Sequence, residues 1–288
     1  MGAGADLAVV VVNHNAGAYL RRCMESLRAG SGDARLEVVI VDNASVDRSP
    51  EDALAERPDA SLIRNRTNRG FAAAANQGIA ATSSPFVLLL NPDAEIVGGT
   101  LASLLKVARE RPRAAAIGAL VRNPNGSIQP SARRVPRLGE ALGHAFLGPL
   151  FPANRFTRSY TMAGWNRASE REVEWVSGSA MLLRREALEQ VGALDEGYFM
   201  YVEDVDLCTR LRRKGWQVLF SPELEVVHQI GVSTRGQRGR MAFAHSDSIY
   251  RYFSKFRADG AGVLLKPFVR FALWLRALLM SALPRRTH

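Results

Sequence analysis

Along the first half of the chain, uninterrupted apolar runs alternate with segments whose apolar residues recur at helical spacing. "LAVVVVN" is a continuous β-branched run, and "YLRRCMESL" follows it with Leu20, Cys23, Met24 and Leu27 on one face. "LEVVIVDNAS" predicts a second strand ending in Asp42 and Asn43, and "PFVLLLNPDAEI" another ending in Asn91, Pro92 and Asp93. Between and after them, "NRGFAAAANQGIAAT" and "TLASLLKVARER" predict helices, the second with Leu101, Leu104, Leu105 and Ala108 on one side. From Asn123 to Arg171 the pattern weakens into a partly helical excursion rich in Pro, Gly and Arg. "VEWVSGSAMLLRREALEQVG" then resumes as strand, turn and helix, and "WQVLFSPELEVVHQ" predicts two short strands.

Apolar strands joined through helices imply an α/β fold, with a mostly parallel sheet covered on both faces. Ligands of such sheets gather at the carboxyl ends of the strands. Asn13 and Asn15, Asp42 and Asn43, and Asn91 with Asp93 should therefore line one rim, although Asn and Asp also serve as plain turn residues. Asp93, just beyond a buried strand, is placed to hold a hard divalent cation that bridges a diphosphate. His228, after "LEVVH", gains a ligand role only if Asp93 lies beside it.

"YFMYVEDVDLCTRLRRKGW" sets Glu203, Asp204 and Asp206 ahead of Arg210, Arg212, Arg213 and Lys214. Acids favour the positive start of a helix and cations its end, so capping alone accounts for the segment. A catalytic carboxylate at the helix start accounts for it equally well. On the helical reading Leu207 and Leu211 anchor the apolar face, and the arginines form the exposed one. "ARRVPR" reads as a solvated basic loop, with phosphate contact as the alternative. No P-loop, GxSxG, HExxH or paired CxxC competes with these candidates.

A chain of 288 residues with 47% hydrophobic content has enough material for a sizeable core. Cys23 and Cys208 sit among apolar neighbours and read as reduced core residues, which favours the cytoplasm. The N-terminus lacks a basic region before its short apolar run, so a signal peptide is not expected. Charge changes the picture at the other end: residues 233–288 carry nine of the ten excess positive charges. A charge so localised predicts an anionic partner, a membrane surface or a nucleic acid.

Taken in order, "VVVVNHNAGAYLRRCMESL", "VVIVDNASVDRS", "NRGFAAAANQG", "LLLNPDAEI", the block from "WVSGSA" through "RRKGW", and "VVHQIGVST" resemble glycosyltransferase family 2, most closely its bacterial rhamnosyltransferase branch. The resemblance runs from about Ala8 to Thr234. It implies a GT-A fold, a nucleotide-diphospho-sugar donor, a divalent cation (Mg2+ or Mn2+) and inversion by direct displacement. On matching positions Asn13, Asn15, Asp42 and Asn43 would hold the nucleoside, with Asn68, Arg69 and Gly70 beside it. Asp93 would be the metal-binding acid of the family's DxD-type motif, Asn91 standing where the first Asp would be, and His228 the late metal-binding histidine. Asp204 would be the general base, Glu203 and Asp206 being nearby acids. Trp175 and Ser177, Gly178 and Ser179 would shape the acceptor side.

The resemblance sets residues 1–232 as the GT-A domain, with a nucleotide-sugar half (1–120) and an acceptor and catalytic half (121–232), and 233–288 as a basic helical tail. In "VLLKPFVRFALWLRALLMSAL", Lys266, Arg270 and Arg276 fall within an arc of about 120° at ~100° per residue. That arrangement predicts an amphipathic helix lying in the headgroup region with its cations toward anionic lipid; packing on the domain is the alternative. The expected activity is transfer of L-rhamnose from dTDP-rhamnose to a lipid-linked or polysaccharide acceptor by a peripheral enzyme on the inner face of the cell membrane. Galactofuranose, mannose, glucose or N-acetylglucosamine as donor sugar is the second reading. A nucleic-acid-binding role for the tail ranks last, since the tail carries no such motif.

Overall fold

The computed structural model describes residues 4–135, 140, 151, 154–229, 238–258 and 260–282. Its strands are β1 (Leu7–Asn13), β2 (Leu36–Asp42), β3 (Ser61–Arg64), β4 (Phe86–Leu90), β5 (Ala94–Gly99), β6 (Ala114–Arg122), β7 (Ala132–Arg133), β8 (Arg171–Glu172), β9 (Trp175–Val176), β10 (Ala180–Arg184) and β11 (Gln217–His228). The helices used below are α1 (Ala18–Ala29), α2 (Ser49–Glu56), α3 (Phe71–Ala80), α4 (Leu101–Glu110), α5 (Arg155–Tyr160), α6 (Arg185–Val191), α7 (Glu203–Arg213), α8 (Arg238–Phe256) and α9 (Lys266–Ala282).

The main sheet runs β3-β2-β1-β4-β10-β6-β11-β5, with β8 on β11, and β7 pairs with β9 in a small second sheet. β1 is parallel to both β2 and β4, Asn13 standing opposite Asp42, so the polar ends of consecutive strands fall on one rim. β10 is antiparallel to β4 and β6, and β5 to β11. Alternation along β1 divides the core. Leu7, Val9 and Val11 pack with Leu20, Met24 and Leu27 of α1 and Leu101 and Leu104 of α4. Ala8 and Val10 pack with the alanines of α3 and with Leu207 and Leu211 of α7. Both cysteines are free and buried in these layers.

Two expectations change. The segment after Asn91 continues directly into β5, because "AEIVGG" pairs with the end of β11 and covers the sheet edge. The two short strands expected from "WQVLFSPELEVVH" are one strand of 12 residues, its register against β6 shifting between Phe220 and Glu225. Pro222 sits in that shift, where its missing N–H costs no ladder bond.

The tail differs more. α9 packs on α8 through Phe253, Val269, Leu273 and Ala277. Arg270 turns back to Asp247 at 2.8 Å and lies over the Tyr250 ring, and Arg276 is held low in pKa by burial. The outward face is the apolar one: Phe268 (71% exposed), Phe271, Trp274, Leu275 and Leu279. The expected arc of cations toward lipid is thus inverted, since Arg270 finds a carboxylate and a ring on α8. Among the described residues no helix is long and apolar enough to cross a membrane.

Candidate active site

The strand ends of β1 and β2 form a hydrogen-bonded rim. The Asn13 side-chain amide lies within hydrogen-bond distance of Asp42 Oδ1 (2.9 Å), Ser49 Oγ and Ser45 Oγ; Asn13, Asp42 and Ser49 are buried and Ser45 half-buried. Asn15, in the left-handed region at φ 52°, donates its backbone N–H to Ser45 Oγ and accepts from Val46 N–H at its side-chain Oδ1. Asn43 ties the rim to the start of α3: its amide donates to Asn68 Oδ1 and Gly70 O, and its Oδ1 accepts from Arg69 N–H. The Arg69 side chain remains exposed beside this network. Ser45 and Ser49, which the strand pattern did not single out, complete the rim because the loop after β2 folds back over β1.

Gly70 has a packing reason for being glycine. Its φ is 84°, and a Cβ there would stand 2.4 Å from the Phe199 carbonyl oxygen, which also accepts from Phe71 N–H at 2.8 Å. The rim is thereby joined to the loop that precedes α7.

A second group lies where β4 and β11 end. His228 Nε2 is 3.2 Å from Asp93 Oδ1 and 3.0 Å from the Asn91 amide. His228 Nδ1 faces Gln129 Oε1 at 3.1 Å, and Gln129 Nε2 donates to the His228 carbonyl at 2.8 Å. Read with Nδ1–H donating to Gln129, Nε2 keeps a lone pair that accepts from the Asn91 amide and lies 3.2 Å from the Asp93 carboxylate, a pair of acceptors at close range. Lone pairs on an imidazole and a carboxylate suit a divalent cation, so the residues present fit one as a partial donor set. Among the described residues no third His, Cys, Asp or Glu joins them. Gln129 lies in the weakly patterned "GSIQP" and gave no sequence signal.

The third group is the start of α7. Asp204 Oδ2 accepts from Gly178 N–H at 3.1 Å and its Oδ1 from Val205 N–H at 2.8 Å. Ser179 O in turn accepts from Asn91 N–H at 3.0 Å, so the "SGSA" turn links this carboxylate to the Asp93 strand end. Burial raises the Asp204 pKa against those two hydrogen bonds and the Arg133 charge. Glu203 is buried, and burial together with the Asp204 charge pushes it up to about 8. Both carboxylates are thus raised by burial, and at about 8 Glu203 holds its proton at neutral pH. Tyr201 and Val202 precede them with φ 69° each, a strained conformation for a tyrosine and a β-branched residue.

Asp206 does not join this group. It has no exposed surface, and its carboxylate is bound by Arg210 at 2.6 Å, Lys255 at 2.7 Å and the Tyr198 hydroxyl at 3.1 Å. Arg210 also caps the carbonyls of Val191, Gly192 and Ala193, so it is a structural latch, not part of an exposed arginine face. Trp175 is buried and donates its indole N–H to Arg134 O. Arg133 lies 5.0 Å over both the Trp175 and Tyr160 rings, so the first arginine of "ARRVPR" is packed, not solvated. Ser177 N–H donates to Ser131 O.

α8 braces the strained loop from outside. Arg251 lies over Tyr198, Arg240 over Phe199, Ser248 Oγ donates to Met200 O, and His245 meets the Tyr201 ring edge-on. Lys255 and Arg251 also bind Asp195, whose pKa they hold low although burial raises it.

Solved structures share this architecture over nearly the whole chain. A mannosyltransferase from Pyrobaculum calidifontis, in complex with GDP-Man and Mn2+, matches with a TM-score of 0.59 over 99% of this chain and 77% of that one, at 16% identity. GalNAc-T7 with UDP, GalNAc and Mn2+ matches with a TM-score of 0.61 over 94% of this chain and 55% of that one, also at 16% identity. The fold is that of the GT-A glycosyltransferases. The family model "Glycosyl transferase family 2" matches residues 8–192, and "Glycosyl transferase family group 2" matches residues 150–286. The chain belongs to glycosyltransferase family 2 and is a glycosyltransferase. It is 36% identical over 285 residues to an N-acetylglucosaminyl-diphospho-decaprenol L-rhamnosyltransferase of Mycobacterium tuberculosis, covering 95% of this chain and 92% of that protein. It is 24% identical over 262 residues to the rhamnosyltransferase WbbL of Escherichia coli, covering 86% and 93%.

Proposed function

We propose that the protein transfers L-rhamnose from dTDP-rhamnose to a lipid-linked sugar diphosphate in cell-envelope glycan synthesis, with inversion by direct displacement. Two rhamnosyltransferases that match most of the chain support the sugar, and the lipid-linked sugar diphosphate for which the mycobacterial one is named supports the acceptor. The single observation that carries the chemistry is Asp204, held at the start of α7 by the Gly178 N–H and linked through Ser179 to the strand end bearing Asp93.

In this reading the rim from Asn13 to Asn43 takes the nucleoside, and Asn68, Gly70 and exposed Arg69 border it. Asp93 and His228 would hold a Mg2+ or Mn2+ ion, which when bound offsets the charge of the donor diphosphate. Asp204, ionised, accepts the proton of the acceptor hydroxyl as that oxygen bonds to the anomeric carbon and the bond from that carbon to the diphosphate oxygen breaks, releasing dTDP. Glu203 stays protonated and keeps a second negative charge away from the attacking oxygen. Trp175, Ser177, Gly178 and Ser179 border the acceptor side.

The exposed apolar face of α9 lies on a membrane surface, Phe268, Phe271 and Leu275 entering the acyl boundary. The direct test is a panel of nucleotide sugars offered with a lipid-linked N-acetylglucosaminyl diphosphate, products read by mass. Addition of one deoxyhexose from dTDP-rhamnose alone is the expected result; turnover only with another donor overturns the assignment of sugar.

A further inference from the structure

We propose that the cavity between α7 and α8 binds a lipid phosphate ester, its occupant being the diphosphate of the prenyl-linked acceptor. The inference rests on the lipid-linked acceptor of the preceding reading. The cavity measures about 710 Å³, and its lining includes Arg134, Arg212, Arg213 and Arg257 against Glu140 and Glu174. Glu174 accepts from Val135 N–H and stands 3.9 Å from Arg212, which it partly neutralises, and Glu140 accepts from Ser159 Oγ. Arg134 and Arg257 have no carboxylate within ion-pair distance among the described residues. Arg213 is held in place over the Phe256 ring at 4.7 Å. Thr209 and Tyr252 add a pair of hydroxyls 2.8 Å apart. Four guanidinium groups around one concavity, with hydroxyl donors at hand, suit a diphosphate better than any neutral ligand.

Position selects the occupant. Arg212 follows Asp204 by two turns of α7, about 12 Å along the axis at 1.5 Å per residue. Arg134 directly follows Arg133, whose charge acts on Asp204, and its carbonyl receives the Trp175 indole. The site therefore lies about two turns of α7 from the base and beside Trp175, which borders the acceptor side in the preceding reading. α8 supplies Tyr252 and Phe256 to the cavity and packs through Phe253 on α9, so one helix separates the cavity from the element with the outward apolar face. A polyprenyl chain leaving a diphosphate here reaches a lipid-facing surface by crossing α8.

The test uses the full chain and farnesyl diphosphate, a soluble prenyl diphosphate with no sugar, with dTDP binding measured in parallel. The Arg134→Gln/Arg257→Gln variant should bind farnesyl diphosphate at least tenfold more weakly, with dTDP affinity and thermal midpoint unchanged. Arg134→Lys/Arg257→Lys should recover part of the loss. Unaltered farnesyl diphosphate binding in the Gln variant overturns the proposal. So does a loss confined to flotation on phosphatidylglycerol vesicles, which would make the cavity a headgroup site. Because the probe carries no sugar, its binding reports on the cavity even if the transferred sugar proves to be another.

Discussion

His228 Nε2 and Asp93 Oδ1 stand 3.2 Å apart because Asp93 precedes Ala94, the β5 residue in register with His228, and Gln129 holds the imidazole from its far side. A residue that orients a metal ligand commonly contributes 10–100-fold in affinity. Gln129→Leu is therefore expected to raise the Mn2+ concentration for half-maximal transfer by about 10–100-fold, with activity recovering at saturating metal. Asp93→Ala should not recover at any metal concentration, and chelation should abolish wild-type transfer.

Asp204→Asn keeps the shape of the side chain and removes the base. Turnover should fall by about 10²–10⁴-fold while dTDP affinity is unchanged. Because burial raises the Asp204 pKa and the base acts ionised, wild-type kcat should rise with pH on a limb displaced above the usual carboxylate range. A pH profile flat across that limb would remove Asp204 from the role.

Glu203 makes a prediction about stability. Its folded pKa of about 8 exceeds the ordinary 4.5, so the folded state binds the proton more tightly than the unfolded chain. Below pH 4.5 the group is protonated in both states and costs nothing. Between pH 4.5 and 8 stability falls, and above pH 8 the penalty is complete. Glu203→Gln, neutral throughout, should leave the thermal midpoint unchanged at pH 4 and raise it at pH 8.5, with transfer retained at neutral pH.

Gly70→Ala places a methyl group against the Phe199 carbonyl in a backbone conformation that alanine adopts at a cost. A loss of about 1–3 kcal/mol in unfolding free energy is expected, together with reduced turnover, because the same carbonyl seats the loop before Asp204.

The tail separates into two functions. Removing residues 238–288 takes away every α8 contact to Tyr198, Phe199, Met200 and Tyr201, and should lower transfer even to a water-soluble acceptor. Phe268→Ser/Phe271→Ser/Leu275→Ser leaves α8 intact. It should reduce flotation on anionic liposomes while thermal stability and transfer to a soluble acceptor stay near wild type. Equal flotation of this variant would remove the apolar face of α9 as the membrane contact.

The sequence by itself determined the first, second and fourth strands, helices α1, α3 and α4, and the rim of Asn and Asp at the strand ends. Period and strand-end polarity are local properties, and the motif order from "VVVVNHN" to "VVHQ" was enough to show the family. Only the tertiary structure chose among neighbouring acids. Asp204, Glu203 and Asp206 share one helical turn, yet the "SGSA" turn reaches Asp204, the core encloses Glu203, and Lys255 from the far end of the chain engages Asp206. Gln129 was invisible because its partner is distant in sequence and its own segment has no period. The direction of α9 was likewise undecidable from a helical wheel. A wheel gives the angles between side chains, but only the packing of Phe253 against Val269 and Leu273 fixes which side faces the protein.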